Sequence, residues 1–88
     1  MISLDDCIAM CGLTREEVDA IAEHEHIDEM DAAALADHLM SRARGARRVH
    51  EMIRDDIRAA LARGHEEHAA ELLAALRHFV KAHPESVR

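Results

Sequence analysis

Ile57-Arg58-Ala59-Ala60-Leu61-Ala62-Arg63-Gly64-His65-Glu66-Glu67-His68-Ala69 decides how the second half of this chain folds. Read as one helix, it would make residues 46–82 a single rod. The apolar positions argue otherwise. Ahead of Gly64 the stripe is Ala46, Val49, Ile53, Ile57 and Ala60, with Leu61 at its edge. Behind it the stripe is Ala69, Leu72, Leu76, Phe79 and Val80. At helical pitch the two stripes are out of phase by roughly 135°, so a rod would bury only one of them. A turn at Arg63-Gly64 lets both face a common core. The expectation is two helices, over about 46–63 and 65–82, packed as an antiparallel hairpin.

Working toward the N-terminus, Arg42-Ala43-Arg44-Gly45-Ala46-Arg47-Arg48 reads as a break or kink at Gly45. Before it, Ala32, Leu35, Ala36, Leu39, Met40 and Ala43 share one face of a helix that Asp28 or Asp31 can cap. Thr14-x-x-Glu17 is a capping box, with Leu13 and Val18 at the staple positions. It opens a helix that ends near Glu23-His24-Glu25-His26. Ser3-x-x-Asp6 is a similar start, with Ile2 placed to staple onto Cys7 and Gly12 as the stop. The short Gly-Leu-Thr link makes a helix-turn-helix-like corner. Pro84 ends the last helix. The fold expected is all-α: a compact bundle of four to five short helices over residues 1–83, with a frayed tail at 84–88.

Composition supports this and excludes other classes. The chain has 88 residues, enough for one domain whose own core is marginal. Of its apolar residues 17 are alanine, and Phe79 is the single aromatic. Sandwich and barrel folds want β-branched and aromatic side chains, and base-stacking nucleic-acid modules want aromatic platforms. The thin supply of large apolar groups points to a partner, a second copy or another protein, that completes the core.

Residues 1–40 hold 11 acids and one base, Arg15, whereas residues 41–88 hold ten bases and seven acids. The two halves can serve as complementary faces within one fold or between protomers. Eight histidines would carry the net charge from −7 to +1 if all were protonated, so solubility should be poor near pH 5.5. Arg outnumbers Lys ten to one, which with the abundant alanine suits a GC-rich bacterial genome. There is no basic leader and no long apolar run, so a cytoplasmic protein without a signal peptide or membrane span is expected.

The chemical leads are few. His65 and His68 stand one helical turn apart. With Glu23, His24 or His26 they could bind a transition metal such as zinc. Against that, Glu66 and Glu67 suit a helix start, and His24 and His26 suit a helix end. Glu23-x-x-His26 has di-iron spacing but occurs once, and the two-His zincin pattern is absent. Cys7 and Cys11 lack redox spacing and read as small core residues. Arg42, Arg44, Arg47 and Arg48 could grip an anion, a nucleic acid or an acidic protein face. The acidity of residues 1–40 argues against nucleic acid. No nucleophile motif or phosphate loop is present, so a non-enzymatic, self-associating or accessory interaction protein is the leading expectation.

Overall fold

A computed structural model describes residues 2–87. Met1 and Arg88, the outer ends of the expected domain and tail, lie outside the described residues. Five α-helices and a closing 3-10 turn account for nearly all of it: α1 (Leu4–Cys11), α2 (Arg15–Glu25), α3 (Glu29–Met40), α4 (Gly45–Ala62), α5 (Glu66–Ala82) and the turn Pro84–Val87. Among the described residues there is no strand.

The helix starts follow local chemistry. The Ser3 hydroxyl accepts from the Asp6 N–H while the Asp6 carboxylate accepts from the Ser3 N–H. Thr14 and Glu17 make the same reciprocal pair, at 3.2 and 2.8 Å. Asp28 caps α3 by accepting from the Asp31 N–H. Thr14→Ala is expected to cost about 1 kcal/mol in urea unfolding, because the Glu17 N–H then loses its partner. An unchanged unfolding midpoint would contradict it.

The turn at Arg63-Gly64 is a Schellman motif. Gly64 is left-handed (φ 76°), its N–H donates to the Leu61 carbonyl, and the His65 N–H donates to the Ala60 carbonyl at 2.8 Å. The chain reverses there, and α4 packs along α5 as the most extensive helix pair. Val49, Met52, Ile53 and Ala60 of α4 join Ala69, Leu72 and Phe79 of α5 in one core with Val18 and Ile21 of α2. Ile57, Leu76 and Val80 are only half-buried, and Leu61 is exposed. Met52 and Asp56 take up the burial expected of Ile57.

At the other end, α1 packs on α3 rather than alongside α2, which makes the Gly12-Leu13-Thr14 link a corner. Arg15, the one base of the acidic half, ties the corner together. Its guanidinium lies 3.2 Å from Asp5 of α1 and 3.2 Å from Glu29 of α3.

The break before α4 falls at 41–44, and Gly45 opens the helix. There α4 passes against the end of α3 so closely that a Cβ on Gly45 would stand 1.5 Å from the Leu39 carbonyl oxygen. Residues 84–87, expected to fray, form a turn that packs on α4 and α5, with Ser86 2% exposed. The Ser86 N–H donates to the His83 carbonyl at 3.0 Å, which folds the chain back after Pro84.

Candidate functional site

Three histidine–carboxylate contacts join α2 to the α4–α5 hairpin. Glu23 Oε1 lies 2.5 Å from His68 Nε2, and Glu17 Oε2 lies 3.0 Å from His78 Nδ1. His24 Nε2 lies 3.3 Å from Asp55 Oδ2, with its Nδ1 2.7 Å from Glu25. Glu17 is 1% exposed, so one carboxylate serves both the cap of its own helix and the α5 contact. Sequence reading found its capping role through the Thr14 spacing. The partner His78, far along the chain, carried no local signal.

Beneath these contacts lies Asp56, which is 5% exposed and whose Oδ2 has no hydrogen-bond partner among the described residues. Burial pushes its carboxyl up to about 7. The charges of Glu23 and Asp55 add to this, and those of His24 and His68 oppose it. A carboxylate in a dry site without a donor prefers its neutral form. The sequence did hold a clue. Positions 49, 53, 56 and 60 follow a 3.5-residue repeat that puts Asp56 on the buried seam.

Of the five candidate metal ligands, the structure brings Glu23, His24 and His68 to this one region. His65 is exposed at the start of α5. His26 is exposed in the left-handed C-cap of α2 (φ 57°), where the Ile27 N–H donates to the Ala22 carbonyl. The expected alignment of His65 and His68 with Leu72 and Leu76 holds only in part, since His68 sits half-buried at the seam's edge. Among the described residues no group of three or more His, Cys, Asp or Glu is placed to hold a metal ion. A zinc site draws its ligands to within about 2.0–2.3 Å of one point, whereas these side chains pair off with one another.

Beside the cluster, α2 and α5 enclose a crevice of about 140 Å³ lined by Glu16, Asp19, Glu23, Glu71 and His68. Burial first, and the neighbouring Glu29 second, raise the Asp19 carboxyl to about 6. The two thiols are free. Cys11 is buried, with its Sγ 3.1 Å from the Ile8 carbonyl, and burial pushes the thiol pKa up. That is the opposite of what a thiolate nucleophile needs.

The arginines Arg42, Arg44, Arg47 and Arg48 are all exposed, but they do not form one patch. Arg44 and Arg47 line a hollow with Ala43, Ala46 and Glu85. Arg47 and Arg48 both approach Glu51, at 3.6 and 4.0 Å. Arg47 also lines a second groove, of about 250 Å³, with His50, Glu51, Arg54, Ser86 and Val87. His50 and Arg54 lie outside the arginine run in sequence, although 47, 50 and 54 share a helix face.

On the opposite flank, α1 and α3 enclose an apolar groove of about 180 Å³ lined by Ile2, Cys7, Met10, Ala33, Ala34 and Asp37. Met10 is 67% exposed and Ile2 59%. Ile2 and Cys7, the two residues of the expected staple, both line this groove.

No family model matches the chain, and comparison with curated proteins and with solved structures finds no match. Among the described residues, no helix is long and apolar enough to cross a membrane.

Proposed function

We propose that this chain is a non-enzymatic, cytoplasmic interaction protein that associates with a second copy of itself. The observation that supports this is the α1–α3 groove, where Met10 and Ile2 expose large apolar groups that an 88-residue chain can ill spare from its core.

Charge favours a second copy as the occupant. Asp5, Asp6, Asp31 and Asp37 are exposed on the helices that form the groove, whereas Arg42, Arg44, Arg47 and Arg48 are exposed on the next segment of the chain. In a two-fold dimer the acidic face of each protomer meets the arginine segment of the other, so every favourable contact is made twice.

The test is size-exclusion chromatography with light scattering at two protein concentrations and at about 0.05 M and about 0.5 M salt. The expected mass is twice 9.8 kDa, with dissociation favoured by dilution and salt. Met10→Asp is expected to give the 9.8 kDa species with its helical content intact. A wild-type monomer indifferent to concentration and salt would overturn the reading.

A further inference from the structure

We propose that the groove between α4 and the C-terminal 3-10 turn is a binding site for the phosphate group of a small phosphomonoester. Arg47, His50 and Arg54 stand at i, i+3 and i+7 on the face of α4 that lines it, with Ser86 across from them on the turn. Arg47 and Arg54 are about 10 Å apart along the helix, so both guanidinium groups can close on one group seated above His50. A phosphate offers several oxygens to such converging forks, where a carboxylate would occupy only one.

Two further features of the groove call for a polar ligand. Ser86 is 2% exposed, and among the described residues its Oγ has no hydrogen-bond partner. The Nδ1 of His50 is likewise buried without one. Buried polar groups are paired in the great majority of proteins, and two orphans on one groove are unusual. The hydroxyl rotates freely and the imidazole turns about its ring bond, so both can present a donor to a bound oxyanion.

The local field has the right sign. Among the described residues, neither Arg44 nor Arg54 makes an ion pair with a carboxylate. Of the nearby acids, Glu51 already faces Arg47 and Arg48, and Glu85 lies 3.4 Å from His83. Helix α4 begins with no side-chain cap and no acid in its first turn, which leaves its positive end beside Arg44 and Arg47. Burial, and then the charge of Arg54, hold the His50 imidazole below its ordinary pKa, while Glu51 works against them.

The groove, at about 250 Å³, exceeds what a bare phosphate fills, and Arg47 separately borders a neighbouring hollow with Arg44 and Glu85. That leaves room for the organic part of a small ester. The site shares only Arg47 with the arginine segment proposed above to meet a second copy, and it stands whether or not the chain dimerises.

The experiment is a titration of the whole protein, followed by amide NMR, with inorganic phosphate, glycerol 3-phosphate, glycerol and acetate. Saturable shifts at residues 47–54 and 86–87 are expected with both phosphates, tighter for the ester, and none with glycerol. Arg54→Ala is expected to weaken binding at least tenfold and Ser86→Ala several-fold, while Arg58→Ala on the same helix binds as wild type. Circular dichroism shows that each variant is folded, and the Met10→Asp protein should bind equally well. Shifts that never saturate, acetate binding as tight as phosphate, or full affinity in Arg54→Ala would each overturn the proposal. So would preferred binding of a single-stranded oligonucleotide that lacks terminal phosphates.

Discussion

Gly45→Ala is expected to cost at least about 3 kcal/mol of folding stability, a large share of what so small a domain has. Alanine is ordinarily the better helix former, by about 1 kcal/mol over glycine inside a helix. Local propensity therefore predicts the opposite sign. Packing wins because the added methyl would stand 1.5 Å from the carbonyl oxygen of Leu39, and backbone atoms cannot step aside as a flexible side chain would. The end of α3 and the start of α4 would have to separate, pulling Ala46 and Val49 out of the core.

Gly64 is the control. It is left-handed, with φ 76°, but a Cβ there meets nothing within 4 Å. Gly64→Ala should therefore cost only the conformational strain, about 1–2 kcal/mol. Urea unfolding of both variants checks the pair. If Gly45→Ala is no worse than Gly64→Ala, the close approach of α3 and α4 is wrong.

Asp56→Asn is expected to stabilise the protein at pH 8 and to leave it nearly unchanged at pH 4. The folded carboxyl titrates at about 7, above its ordinary 3.8, mainly because it is buried. A raised folded value means that the protonated form suits the native state. The contribution is complete below about pH 4 and is lost as pH rises through 7. Between those two values linkage removes about 4 kcal/mol. Asn keeps the shape and is never charged, so it escapes this loss.

Asp19 titrates at about 6 in the folded state and pulls in the same direction between pH 4 and 6. It is present in both proteins, so it largely cancels in the comparison. The measurement is the urea midpoint of each at pH 4, 6 and 8. The gap should open with pH and level off above about 8. A gap that is the same at every pH would mean that Asp56 is not held neutral by its surroundings.

The sequence carried the helix boundaries because their causes are local. Thr14 and Glu17, Ser3 and Asp6, and Asp28 and Asp31 are three residues apart, so each cap is complete within one turn. Gly64 acts within two residues of itself. The phase of the two stripes around it was enough to reverse the chain, since only a reversal buries both.

The candidate site was legible only in pieces. Glu23, His24 and His68 were named, but nothing local showed that Glu23 and His68 would pair with each other, or that His26 would be used as a left-handed cap. Asp56 lay on a seam whose repeat was visible, yet its neighbours on α2 and α5 come from distant parts of the chain. The arginine run looked like one patch because its members are adjacent in sequence. On the helix, neighbours in sequence diverge by about 100°, and the turn after Pro84 selects Arg47, His50 and Arg54 as the groove face.

The sequence alone thus determined the capped starts of the first three helices and the turn at Gly64, and that the last two helices pack antiparallel. Tertiary packing alone decided which helix meets which, which carboxylate loses its water and which basic face gains Ser86 opposite it. Capping and turn energies depend on residues a few positions apart, whereas burial and long-range pairing depend on distances that exist only once the chain has closed.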